Sequence, residues 1–219
     1  PSLGGILMTV RTEQHSLTIR TPQGKPIAPL MGQLSQLPCG NVIDPDVRLL
    51  PVDLHGDLLT SDPSERVVGA AYLAGMMLPS GLGFAELTTE LIQNHPEAVG
   101  IWPHLHWAED RQSSTVPPEA VCEIFLQDLP RDQAMAAAQR FCSQPEGTRA
   151  LVANWTAERF GRLPRLYVEA TEDRSVVLAA QRKMQALVPG AQVVSLPCGH
   201  VPQVVQTAAV AEALLAFAS

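Results

Sequence analysis

A chain of 219 residues with 46% hydrophobic and 17% charged side chains can bury one substantial core, so a single globular domain is expected and disorder is excluded. The net charge of −7 argues against nucleic acid, whose phosphates require a basic face. No apolar run approaches the roughly 20 residues that span a bilayer, which argues against membrane insertion. The N-terminus lacks a signal-peptide pattern, and Cys39, Cys122, Cys142 and Cys198 fall without CxxC spacing. Reduced thiols and a cytoplasmic location are the resulting expectations.

In chain order, Ser2-Leu3-Gly4-Gly5-Ile6 opens a stretch without clear period. His15 to Ile19 alternates, and Thr21-Pro22-Gln23-Gly24-Lys25 turns it into Pro26-Ile27-Ala28, a hairpin pattern. Val47-Arg48-Leu49-Leu50-Pro51-Val52 reads as a strand ending in the polar turn Asp53-Leu54-His55-Gly56-Asp57. The continuous apolar run from Val67 to Gly75 suits a strand buried on both faces of a parallel sheet. Helices are predicted over 84–94, over 118–127 behind Pro117-Pro118, and over the alanine-rich 131–141. Ile101-Trp102-Pro103-His104-Leu105-His106-Trp107 between them is aromatic and irregular. Short helices inserted between sheet strands are expected to form a cap, at about residues 78–155, within a single domain over 1–219.

The richest stretch is 162–201. Leu166-Tyr167-Val168 is a short apolar strand that stops at the polar cluster Glu169-Ala170-Thr171-Glu172-Asp173-Arg174. A helix follows over 175–188 with Val177, Ala180, Met184 and Leu187 on one face, and Pro189-Gly190 ends it. Gln192-Val193-Val194-Ser195-Leu196 is the next strand, closed by Cys198-Gly199-His200-Val201-Pro202. A strand–helix–strand unit is a right-handed crossover between parallel strands, so both strand ends share one edge of the sheet. Asp173 and His200 therefore lie together where open α/β folds place their sites. A carboxylate that orients an imidazole is two-thirds of an acyl-transfer triad. The C-terminal helix, about 208–218, carries Val210, Leu214 and Phe217 toward the sheet.

From Pro63 to Ser219 the order of motifs resembles the α/β-hydrolase superfamily, and within it the small carboxylesterases related to plant methylesterases and hydroxynitrile lyases. The residues that carry the resemblance are Glu65 to Gly75, Val116-Pro117-Pro118-Glu119-Ala120, Phe125-Leu126-Gln127-Asp128, Thr156 to Glu169, Thr171-Glu172-Asp173-Arg174 and Gly199-His200-Val201-Pro202. The resemblance implies a mostly parallel sheet flanked by helices, with a helical cap insertion. It also implies Asp173 as triad acid and His200 as base, with a small, fairly apolar carboxylic ester as substrate and no cofactor. Asp173 could alternatively cap the helix behind it, His200 could be a loop histidine, and Glu172 is a substitute acid. Hydroxynitrile lyases of the group carry a lysine directly after the base; Val201 stands here, which implies ester hydrolysis instead.

The family's nucleophile elbow, G-x-S-x-G, occurs nowhere in the chain. Ser2 in Pro1-Ser2-Leu3-Gly4-Gly5-Ile6 looks like the second half of an elbow and is the candidate nucleophile. Asp53 is a possible carboxylate nucleophile or a structural turn residue, and the third reading is a chain whose elbow is missing. That last reading makes the protein a non-catalytic, ligand-binding relative. Trp102, His104 and Trp107 are the candidate substrate-binding wall of the cap. His104 and His106 would share a face of a strand, but no further ligand sits at matching spacing, so no metal is expected. Gly81-Leu82-Gly83 lacks the third glycine of a phosphate loop.

Overall fold

The computed structural model describes residues 69–148, 150 and 152–218. The predicted hairpin and the strand at 47–52, together with Ser2, Asp53 and His55, lie outside the described residues.

Three strands, β1 (Ala70–Leu73), β5 (Arg165–Ala170) and β6 (Ala191–Leu196), form a sheet in the order β1-β5-β6 with both pairings parallel. Ala70 pairs with Arg165 and Ala170 with Leu196, so β5 is central among these strands. Every residue of β5 is buried. Its side chains alternate between two packed faces, as strand geometry requires. Leu166, Val168 and Ala170 join Ala71, Leu73 and Leu196 under Val210, Ala213 and Leu214 of the C-terminal helix α6 (Thr207–Ala218). Tyr167 points the other way, packs with Met77, Phe160, Leu163 and Val188, and donates its hydroxyl to the Gly75 carbonyl at 2.7 Å.

The strand extends further than its apolar core suggests, because two polar residues are buried with partners. Arg165 donates to the carbonyls of Gly161 at 3.0 Å, Leu163 at 3.0 Å and Pro189 at 2.8 Å. Glu169 accepts from Arg182 at 3.0 Å, Gln185 at 3.0 Å and Ser195 at 2.7 Å. Burial alone would raise the Glu169 pKa, but these three donors together hold it below its ordinary value. At the carboxyl edge of the sheet, beside Glu169, β1 stops where Ala74 takes a left-handed φ of 47°.

Between β1 and β5 the chain makes a long excursion. Helix α1 (Phe84–Leu91) packs Leu87 against Ala180 and Met184 of α4 (Leu178–Leu187). Next, β2 (His106–Trp107), β3 (Ser113–Thr115) and β4 (Gln144–Pro145) form an antiparallel sheet. Besides the expected short helices the insertion thus contains a small sheet, whose strands of two or three residues are too short to alternate visibly. The predicted helix over 118–127 is also divided. It begins as α2 (Pro118–Ala120) and continues as a π-helical turn over Val121–Phe125, with α3 (Arg131–Ala138) beyond. Val121, Cys122, Leu126, Ala134 and Ala138 bury one another together with Val201, which follows α4 and β6 in the chain. A short α5 (Pro202–Val205) then leads into α6.

Two further expectations change. Cys122 and Cys198 are free and buried, but Cys142 is disulfide-bonded, contrary to the all-reduced reading. His104 ends a 3₁₀ turn (Trp102–His104) fixed by Pro103, while His106 is in β2, so the two histidines do not share one strand. Among the described residues no helix is long and apolar enough to cross a membrane.

Candidate active site

The β5–α4–β6 unit brings Asp173 and His200 together at the carboxyl edge of the sheet. The backbone alone draws the two turns close: the Thr171 amide bonds the Leu196 carbonyl at 2.9 Å and the Glu172 amide bonds Cys198 at 3.0 Å. His200 Nδ1 then lies 2.9 Å from Asp173 Oδ2, with the two side chains 5% and 0% exposed. An ionised Asp173 accepts only, so Nδ1 carries the proton of this bond and Nε2 is the nitrogen remaining for chemistry.

Asp173 also serves as a turn cap, so the two alternatives weighed for it coexist. Its Oδ1 accepts the amides of Ser175 at 2.7 Å and Val176 at 3.0 Å. Those bonds hold residues 174–177 in turns, which is why α4 starts at Leu178 and not at Ser175 as its periodicity predicts. The carboxylate is thereby fixed on both oxygens before any substrate arrives. Glu172, the substitute acid, is exposed, and it is Asp173 that bonds the imidazole.

Gln181 was not anticipated. It is fully buried, with its amide stretched across the acid turn. Its Nε2 donates to Ala170 O at 2.9 Å and Val176 O at 2.7 Å, and lies 3.5 Å from Asp173 Oδ2. Its Oε1 accepts the Ala170 amide at 3.0 Å. The detectable signal was a polar residue within the apolar stripe formed by Val177, Ala180 and Met184.

The insertion reaches the same place. The Phe125 ring lies 5.2 Å from the His200 ring, tilted by 39°. Gln127 and Asp128 bond backbone atoms of both turns. Gly199 leaves the room for that contact, since a Cβ there would stand 2.9 Å from both Cγ and Cδ of Gln127. The sequence signal was present but unspecific, since Phe125-Leu126-Gln127-Asp128 carried resemblance without an assigned role.

The candidate wall residues lie in the 3₁₀ turn and β2 of the insertion. Trp102 and Trp107 stack on each other at 6.4 Å, Arg111 lies over Trp107, and His104 is exposed. A cavity of about 390 Å³ beside Asp173 is lined by residues including Glu97, Ile124, Glu172 and Arg174, and not by Trp102, His104 or Trp107. Among the described residues no group of three or more His, Cys, Asp or Glu could hold a metal ion. Ser2 lies outside the described residues, so the structure gives no distance from it to His200.

A parallel sheet covered by helices, with an acid turn and a histidine turn at one edge, is the frame of an α/β hydrolase. The chain belongs to the alpha/beta hydrolase family, whose sequence profile matches residues 2–213. Among its relatives, a pyrethroid hydrolase of Sphingobium wenxiniae is 29% identical over 157 residues, covering 70% of this chain. The chain spans 56% of that relative's length. The crystal structure of a pyrethroid hydrolase from Sphingobium faniae JZ-2 superposes with a TM-score of 0.58 at 27% identity, over 71% of this chain and 62% of that one. Polyneuridine aldehyde esterase is similar in fold, with a TM-score of 0.57 at 18% identity over 72% of this chain and 64% of that one. By their names the first two relatives are hydrolases and the third is an esterase.

Proposed function

We propose that the protein hydrolyses a fairly apolar carboxylic ester by a serine–histidine–aspartate mechanism. The observation that carries this reading is the buried Asp173–His200 pair at 2.9 Å. In the proposed mechanism a serine hydroxyl attacks the ester carbonyl and His200 Nε2 takes its proton. Asp173 keeps the imidazole in the required tautomer and stabilises the imidazolium, after which His200 returns the proton to the leaving alcohol. Water then attacks the acyl-enzyme by the same route. Ser2 is the proposed nucleophile, and the family match includes the Ser2-Leu3-Gly4-Gly5 run. Trp102, His104 and Trp107 stay as proposed substrate contacts, joined by Phe125, whose ring already faces the base. The likeness to pyrethroid hydrolases makes a bulky apolar ester the substrate class to test first. A cytoplasmic location and a cap spanning about 78–155 belong to the same proposal.

The second reading is a non-catalytic member of the family that binds a small ligand, and the cavity of about 390 Å³ beside Asp173 favours it. Labelling with a fluorophosphonate probe and mapping the modified residue separates the two. The esterase reading expects labelling at Ser2 that His200→Ala abolishes. Labelling at a different serine discards Ser2 and keeps the enzyme. No labelling and no turnover of p-nitrophenyl esters leaves the binding protein.

A further inference from the structure

We infer that Gln127 and Asp128 form a positioning brace, by which the insertion holds the acid turn and the histidine turn at hydrogen-bonding distance. Asp128 Oδ2 accepts the Gly199 amide at 2.6 Å across 71 residues of sequence, and Gln127 Nε2 donates to the Glu172 carbonyl at 2.9 Å across 45. These adjacent residues each grip the residue before one member of the pair: Gln127 holds the carbonyl of the Glu172–Asp173 peptide, and Asp128 holds the amide of the Cys198–Gly199 peptide, one residue ahead of His200. The orientation of the Glu172–Asp173 peptide fixes where the Asp173 Cα–Cβ bond points, and the held Gly199 amide fixes the start of the turn that carries His200. Direct backbone bonds between the turns end at Glu172 and Cys198, so beyond that point the braced peptides and the side-chain bond set the geometry.

Three observations mark the contact as built. The first is its length: an amide bonding a carboxylate at 2.6 Å is charge-assisted and at the short end for such pairs. The second is steric. A Cβ on Gly199 would stand 2.9 Å from Gln127 Cγ and 3.1 Å from Asp128 Oδ2, so glycine is what lets the brace close. The third is how the segment is delivered. The π-helical turn puts one extra residue into the helix, bonding Leu126 N to Val121 O at 3.0 Å, and so turns Phe125 toward His200 while Val121 and Cys122 stay buried. The segment is anchored on either side, by Arg174 donating to Glu123 O at 3.1 Å and by Val201 inside the apolar cluster of α3.

The effect of the brace on turnover rests on the ester-hydrolase reading, whereas its effect on the Asp173–His200 bond does not. The test therefore has two arms on the full 219-residue chain. One is kcat and KM for a p-nitrophenyl ester, and the other is the downfield proton resonance of the His200 Nδ1–H held by Asp173. In Asp128→Ala, kcat is expected to fall about tenfold or more with KM within about twofold, because misplacement of catalytic groups acts on the chemical step. The downfield proton broadens or disappears. Asp128→Asn keeps an acceptor oxygen and restores both, with kcat within about threefold of the parent. An Asp128→Ala protein with parental kcat and an unchanged downfield proton overturns the brace. If the parent turns over no ester, the hydrolase reading fails, and an unchanged proton in Asp128→Ala still overturns the brace by itself. Should Asp128→Ala not fold, Gln127→Ala is read by the same two measures, with the same outcome overturning the inference.

Discussion

Gln181→Met puts a side chain of similar size into a fully buried position, so the transfer and cavity terms nearly cancel and the loss of polar partners dominates. Three backbone groups bond the Gln181 amide: Ala170 N, Ala170 O and Val176 O. Ala170 O keeps a second donor, the Asp173 amide at 3.3 Å. Ala170 N and Val176 O have no other partner among the described residues, and water cannot reach the site without opening it. An orphaned buried polar group costs about 1–3 kcal/mol, so two of them cost about 2–6 kcal/mol. That is a large share of the roughly 5–15 kcal/mol that holds a folded domain together. For a chain of this length it corresponds to a fall in Tm of roughly 4–24 °C. Urea unfolding followed by circular dichroism measures it directly, with the midpoint moving and the slope m unchanged. A loss below about 1 kcal/mol would refute the reasoning, since the acid turn would then be held by Asp173 and the backbone without the glutamine.

Two further outcomes follow from the titrating groups. Because Glu169 is held below its ordinary pKa in the folded protein, the unfolded chain binds its proton more readily. Its stabilisation is present above the unfolded pKa and is lost as pH falls through the folded one. Glu169→Gln should therefore flatten the decline of unfolding free energy between about pH 5 and pH 3, and an unchanged slope would refute the linkage. The Cys198 thiol is pushed up to about 11, by burial first and then by Asp128, Asp173 and Glu172. In the native protein at pH 8 it should resist iodoacetamide, and should react once the chain is unfolded in urea; rapid native labelling mapped to Cys198 would contradict this.

The sequence was readable where period and chemistry agreed, as in the β5–α4–β6 unit. Val177, Ala180 and Met184 announced the helix, β-branched residues the strands, and the crossover rule placed Asp173 beside His200. It misled wherever a distant group changed a local preference. Arg165 and Glu169 look like strand ends because charged residues are seldom buried, yet partners from α4, β6 and the 160–163 turn keep them in β5. The helix over 175–188 loses its first turn to the Asp173 side chain. A π-helical turn has no sequence period of its own at five residues, so Val121–Phe125 read as ordinary helix. Gln127 and Asp128 acquire their partners only across long stretches of chain, which no local pattern can reveal.

The seating of Val201 among the insertion's apolar side chains bears on how this architecture could be rebuilt. Loop exchange between family members treats the region between β1 and β5 as a cassette that alters what enters the site and leaves the chemistry alone. Here the residue next to the histidine is part of the cassette's own core. A transplant that ignored this contact would change the surroundings of the Asp173 turn and the seating of His200 in one stroke.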